Sequence, residues 1–151
     1  MTFSDGVAFL ALVISGLTFF HTRKQSKISQ RPTKLEAYRL TKEFVGYCSK
    51  YKTMYSYEPI MGTRELWSEI DSFSWNLDKL GPTEITGFSD KTSLIKQNAK
   101  KLQRELERLV SAINKNAGKD EIEKYEDSSN ELIDWFHEQK IGLKSFFEPC
   151  V

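Results

Sequence analysis

Residues 6–20 read GVAFLALVISGLTFF, a run that contains no charged side chain. The run ends against a polar and basic flank that includes His21, Arg23 and Lys24. A membrane-spanning helix usually needs about 20 mainly apolar residues, and a somewhat shorter one is accommodated by local thinning of the bilayer. The run therefore predicts a single transmembrane helix within residues 1–22.

A cleaved signal peptide and a buried helix of a globular core also contain apolar runs. A signal peptide carries basic residues before its apolar run and a small-x-small cleavage motif after it. In this chain Asp5 precedes the run, and Phe19, Phe20 and His21 follow it. The flanking residues therefore favour a membrane anchor.

Basic residues gather on the carboxyl side of the run before the first acidic residue there, Glu36. By the positive-inside rule this asymmetry places the rest of the chain on the cytoplasmic side of an inner (plasma) membrane. The two cysteines, Cys48 and Cys150, have no metal-type spacing, which agrees with a reducing compartment. We expect a transmembrane helix in residues 1–22, a basic juxtamembrane linker in residues 23–32 and a cytoplasmic domain in residues 33–151.

One face of the predicted membrane helix carries only small or hydroxylated side chains. They recur at spacings of four and three: Ser4, Ala8, Ala11, Ser15, Thr18 and Thr22. Helices in lipid associate through such faces, because apolar side chains gain nothing by leaving the lipid tails. The pattern predicts contact with other helices in a homo-oligomer, either by dry packing or by lining a pore.

The remaining sequence shows helical periodicity in four segments and no alternation typical of a strand. Pro32 and Thr33, with Glu36 three residues after Thr33, predict a helix start by a capping box. The four predicted helices occupy about residues 33–57, 63–80, 89–115 and 120–142. The sequence therefore predicts an all-α fold, in which a cytoplasmic antiparallel bundle of about four helices follows the membrane helix.

The third predicted helix carries the longest apolar row: Ile95, Ala99, Leu102, Leu106, Leu109 and Ile113. Such a row is the ordinary core seam of a bundle, which is the role we favour. The alternative is that the row pairs with the same helix of a second copy.

The same helix carries four cations at i, i+4 spacing: Lys96, Lys100, Arg104 and Arg108. Like charges at this spacing destabilise an isolated helix, so a compensating partner is expected. Ion pairs with the acidic first half of the fourth helix are the favoured compensation. The second candidate is a site for a phosphate-bearing ligand or an acidic partner, and the third is contact with lipid headgroups.

A second candidate ligand-binding group mixes cations with aromatic rings: Lys50, Tyr51, Tyr55, Arg64 and Trp67. Aromatic rings stack on nucleic-acid bases and cations pair with phosphates, so these residue types suit a nucleotide. Tyrosines at helical spacing are also common in cores, with the hydroxyl at the rim. The sequence favours the core role for the tyrosines.

Charge and motifs argue against several classes of protein. The 22 basic residues balance the 21 acidic ones, so duplex nucleic acid is not an expected partner. The sequence has no Gly-rich phosphate loop, no Gly-x-Ser-x-Gly and no His-Glu-x-x-His. Asp134 and His137 have the spacing of one metal-binding pair without a second copy. We expect a protein that is not an enzyme and binds no metal and no cofactor.

The layout resembles the small membrane-anchored effectors of bacterial antiphage defence, including type III CRISPR effectors that sense cyclic oligoadenylate. The likeness lies in the apolar helix, the basic stop from His21 to Lys24, and the small all-helical domain. It implies a domain that oligomerises and binds a cyclic nucleotide, and a membrane part that then disturbs the bilayer. The alternative is a non-enzymatic anchored adaptor or assembly factor, which docks another protein through its bundle.

Overall fold

The computed structural model describes the backbone of residues 3–80 and 87–147, which is helical apart from short turns. The helices are α1 (Phe3–Tyr57), α2 (Pro59–Lys79), α3 (Phe88–Asn114) and α4 (Lys119–Phe147). Side chains are described for residues 14–22, 24–25, 30–80 and 87–138. No strand occurs in the described backbone, so the prediction of an all-α helical bundle is confirmed.

The chain divides into two compact units, Met1–Thr33 and Lys34–Val151. Helix α1 contributes to both, and Pro32 lies inside it. The helix start predicted at Thr33 is therefore wrong, and residues 23–32 are helical. A proline removes one backbone hydrogen bond of a helix, and here the residues on both sides continue the helix in spite of that loss.

In the first unit, apolar side chains lie open on the helix surface. Ile14, Leu17, Phe19 and Phe20 are each between 56 and 72% exposed. Among the helices formed by the described residues, none is both long and apolar enough to cross a membrane. The side chains of Ser4, Ala8 and Ala11 lie outside the described residues, and the transmembrane helix stays a prediction.

The second unit is held together by aromatic rings from three helices. Phe44 of α1 stacks on Phe73 of α2 with ring centroids 4.4 Å apart. Phe136 of α4 meets the same Phe44 ring edge-on at 4.9 Å. Contacts between α1 and α2 continue to Lys50 and Glu65, whose charged atoms are 2.7 Å apart. These contacts show that α1 and α2 run antiparallel, since residues later in α1 meet residues earlier in α2.

The apolar row of α3 lies in the core of its own chain. Ile95, Ala99, Leu102, Leu106 and Leu109 are each 1% exposed or less. This confirms the favoured role of the row as a core seam. It also removes the alternative in which the row pairs with a second copy, because packing against α2 and α4 covers it.

Two predicted helix starts are displaced. Helix α2 begins at Pro59, a residue suited to the first turn because its missing N–H would have no partner there. Thr63, the predicted cap, lies inside α2 and its hydroxyl donates to the Pro59 carbonyl at 2.6 Å. Helix α3 begins at Phe88 after Gly87, whose φ of 73° is left-handed and suits glycine.

Gly62 of α2 lies close to α1. A Cβ atom on Gly62 would lie 3.2 Å from both the Met54 Cβ and the Tyr55 backbone nitrogen. We expect Gly62→Ala to lower the unfolding free energy by about 1–2 kcal/mol, because overpacking outweighs the gain in helix propensity. Chemical denaturation followed by circular dichroism measures the change.

Gly46 provides the matched control, since it is an exposed helical glycine with nothing within 4 Å of an added Cβ. Gly46→Ala should raise the unfolding free energy by about 0.5–1 kcal/mol. If both substitutions stabilise the protein equally, the close contact at Gly62 does not restrict the packing of α2 on α1.

Candidate functional site

Arg64 and Trp67 project from α2 toward α3 and form one wall of a surface groove. The indole Nε1 of Trp67 donates a hydrogen bond to Glu107 Oε1 of α3 at 2.9 Å. Leu106 and Val110 form the apolar part of the opposite wall. The groove encloses about 280 Å³, and we call it the α2–α3 groove; it is lined by Thr63, Arg64, Trp67, Leu106, Glu107 and Val110.

The other members of the aromatic and cationic group lie away from the groove. Tyr51 is only 5% exposed, and burial raises the pKa of its hydroxyl to about 12. Tyr55 donates a hydrogen bond to Glu126 of α4, which fixes α1 against α4. Lys50 forms an ion pair with Glu65 at 2.7 Å. The tyrosines therefore have the core role that the sequence favoured, and the ring of Tyr51 is not open to a stacking ligand.

The cation row of α3 divides into paired and unpaired members. Lys96 pairs with Asp78 of α2, and Arg108 pairs with Glu105 of its own helix at 2.7 Å. Lys100 and Arg104 are exposed, and neither forms an ion pair or hydrogen bond with any side chain that the structure describes. Lys100 and Arg104 thus extend a positive surface along α3 beyond the groove.

The predicted ion pairs between α3 and α4 are wrong within the described part of the chain. Two acidic residues of α4 contact α1 instead. Asp134 accepts from Lys52 at 2.6 Å, and Glu126 accepts from Tyr55. Sequence spacing defines which charges share a face of each helix, but the rotation of α4 about its axis depends on which side chains enter the core.

A contact between α1 and α4 brings Ser49 near His137, with Oγ and Nε2 3.4 Å apart. The Ser49 hydroxyl also lies 3.0 Å from the Val45 carbonyl, to which it donates. Asp134, the residue that would orient the histidine, is paired with Lys52. Among the described side chains, no group of three or more could hold a metal ion.

Cys48 is fully buried, and burial raises the pKa of its thiol to about 12. A protonated thiol is a poor nucleophile, so Cys48 acts as a small core residue.

Two hydroxyl groups on the small-residue face of α1 donate to carbonyls of their own helix. Thr18 donates to the Ile14 carbonyl and Thr22 to the Thr18 carbonyl, each at 2.8 Å. A hydroxyl bonded in this way needs no other acceptor, so these side chains fit an apolar environment. Ser15, the third described member of the face, is exposed.

Glu107 and the apolar wall of the groove were not among the residues nominated from the sequence. Lys96, Gln103 and Glu107 each follow directly after a core residue of α3, and each contacts a side chain of α2. A position directly after a core residue of α3 is therefore the sequence pattern that predicts contact with α2, and Glu107 has it.

The groove sets an indole ring and a guanidinium beside apolar side chains, a combination that binds planar anionic compounds by stacking and charge. Thr63 in its wall already donates to a helix carbonyl. The arrangement therefore suits binding more than bond cleavage. In comparisons with known proteins, no family model, no curated protein and no solved structure matches this chain.

Proposed function

We propose that the chain is a non-enzymatic membrane effector that binds an anionic ligand in the α2–α3 groove. The observation that carries the proposal is the position of Trp67 and Arg64 beside the half-buried Val110, with the buried Leu106 beneath it. This groove combines an aromatic ring, a cation and an apolar wall at one accessible place.

The ligand class that fits these groups best is a nucleotide, such as a cyclic nucleotide. Its base would stack on the Trp67 ring, and a phosphate would pair with Arg64. Glu107 would accept a hydrogen bond from an exocyclic amine, since a carboxylate can accept several bonds and Trp67 supplies one.

The membrane anchor is supported by residues 6–20 and by the exposed apolar side chains of the first unit. Ile14, Leu17 and Phe20 are more than half exposed. Large apolar side chains that are exposed in this way favour an apolar surrounding. Lipid supplies that surrounding at the inner membrane, with the bundle on the cytoplasmic side.

A response requires that ligand binding favours one arrangement of the chains over another, because a ligand shifts an equilibrium only by its difference in affinity for the two states. We propose that several copies assemble, and that the small-residue face of the membrane helix changes its packing and perturbs the bilayer. Antiviral defence is the setting that this sequence of events suits.

Ligand binding is tested with full-length protein in detergent, titrated with ATP and with cyclic oligoadenylates by calorimetry. We expect Trp67→Ala and Arg64→Ala each to raise the dissociation constant by roughly tenfold or more, the loss typical of one stacked base or one charged contact. Trp75→Ala and Lys42→Ala are the controls, since both residues are exposed and neither lines the groove. Binding that is equal in all four variants would contradict the groove assignment.

An adaptor is the second candidate, and a different surface favours it. At the turn between α1 and α2, Tyr57 is 82% exposed, Met61 is 57% exposed, and Pro59 between them is exposed. A partner protein docked there would be lost in Met61→Asp, measured by co-purification, while Trp67→Ala would leave it bound. If the partner is lost in Trp67→Ala and retained in Met61→Asp, it docks at the α2–α3 groove.

A further inference from the structure

Helix α4 carries an acidic strip on the face opposite its buried residues. Its members are exposed and recur at spacings of three and four: Asp120, Glu123, Asp127, Glu131, Asp134 and Glu138. Glu123 pairs with Lys119, and Asp134 with Lys52. Asp120, Asp127, Glu131 and Glu138 form no ion pair with any described side chain. Lys119 and Lys124 of the same helix border the strip.

Helix α3 carries the complementary basic strip on its own outer face. Its members are all exposed: Lys100, Lys101, Arg104, Arg108 and Lys115. Arg108 pairs with Glu105, and Glu107 at the border of the strip is held by Trp67. The remaining four cations have no ion-pair partner among the described side chains.

The two strips overlap along most of their length, and the acidic strip is the longer one. Lys101 to Lys115 and Asp120 to Asp134 each cover about 21 Å of helix, at roughly 1.5 Å per residue. Helices α3 and α4 are joined by a short turn at residues 115–118, so residues equally far from the turn are level with each other. By this measure Lys101 is level with Leu132, Arg104 with Ser129 and Arg108 with Tyr125. The acidic residues Asp134, Glu131 and Asp127 therefore each lie two residues, about 3 Å, further along α4 than the matching cation.

The strips do not meet within one chain, since no ion pair joins α3 to α4 among the described side chains. We propose that the α3 basic strip of one copy binds the α4 acidic strip of the next copy. The occupant is a second copy of this chain, because four cations of α3 and its C-terminal cap and four acidic residues of α4 are spaced at the same intervals of three, four and seven residues. The proposal rests on the proposed function, to which it supplies the interface for assembly.

This contact joins two different surfaces, so it repeats around a ring or along a filament. Copies related by rotation about an axis parallel to α3 and α4 keep the strips at the same height. The basic strip does not line the α2–α3 groove, so ligand binding and assembly use separate residues.

The test uses full-length protein in detergent at low salt, with the protein mass measured by light scattering after gel filtration. We expect a multimer for the wild-type chain and a monomer for Arg104→Glu alone and for Glu131→Arg alone. Reversing the charge of either Arg104 or Glu131 places two like charges next to each other across the interface. The double variant should regain the multimer, and so should an equimolar mixture of the two single variants. Higher salt should dissociate the multimer, because exposed charges are screened.

Lys42→Glu and Glu58→Arg are the controls, since they make the same charge changes at exposed positions outside both strips. Retention of the wild-type mass in the single reversals would overturn the strip interface and leave the proposed assembly to the membrane helix. A monomeric wild-type chain would overturn both the interface and the assembly. The calorimetric titration of the groove is unaffected by either outcome, so failure of the interface and failure of ligand binding are distinguishable.

Discussion

Phe44→Ala should lower the unfolding free energy by about 3–5 kcal/mol, the usual loss for a fully buried phenylalanine. Phe44 is 1% exposed, and its ring contacts Phe73 on α2 and Phe136 on α4. Its removal therefore opens a cavity where three helices meet. Typical domains are stable by about 5–15 kcal/mol, so the loss would bring the bundle close to unfolding.

The change is measured on full-length protein in detergent by urea denaturation followed by circular dichroism. Trp75→Ala is the control for losing a large aromatic ring, because Trp75 is 64% exposed and its ring lies 5.3 Å from the Lys79 ammonium. We expect that control to change the unfolding free energy by less than about 1 kcal/mol. Equal losses in the two variants would show that the Phe44 ring does not join the helices.

Ile14→Asp should move the protein out of the membrane fraction. A carboxylate near the centre of a spanning helix costs about 2.5–3.5 kcal/mol of insertion free energy, which is a loss of roughly a hundredfold in the ratio of inserted to free chain. The uncharged run around Ile14 is only 15 residues long. It therefore has little surplus hydrophobicity to offset the charge.

Cell fractionation with carbonate extraction measures this distribution. Gln25→Asp is the control, since it adds the same charge beyond the apolar run. We expect the control to remain with the membrane. If Ile14→Asp also resists extraction, residues 6–20 do not anchor the chain by spanning the bilayer.

The core of the bundle could be predicted from periodicity. The row from Ile95 to Leu109 is buried because a spacing of three and four puts those side chains on one face of a helix. The continuity of α1 through Pro32 could not be predicted, because Pro32 and Thr33 have the sequence pattern of a helix start.

The groove was predictable in part. Arg64 and Trp67 were nominated for their chemistry, but their meeting with Glu107 depends on how α2 and α3 are aligned along each other. Tyr51 and Tyr55 were nominated with them, and packing of α1 against α2 and α4 separates the two pairs. One-dimensional spacing fixes which residues share a face, and only the packing of whole helices fixes which faces meet.

The sealed position of Cys48 makes its thiol a native reporter of transient opening. A thiol-specific reagent can react with it only in molecules where α1 has separated from its neighbours, and a pKa of about 12 keeps the closed form unreactive at neutral pH. In a Cys150→Ser background the labelling rate therefore counts opening events. The labelling rate of Cys48 can thus show whether the frequency of opening changes when copies assemble or a ligand binds.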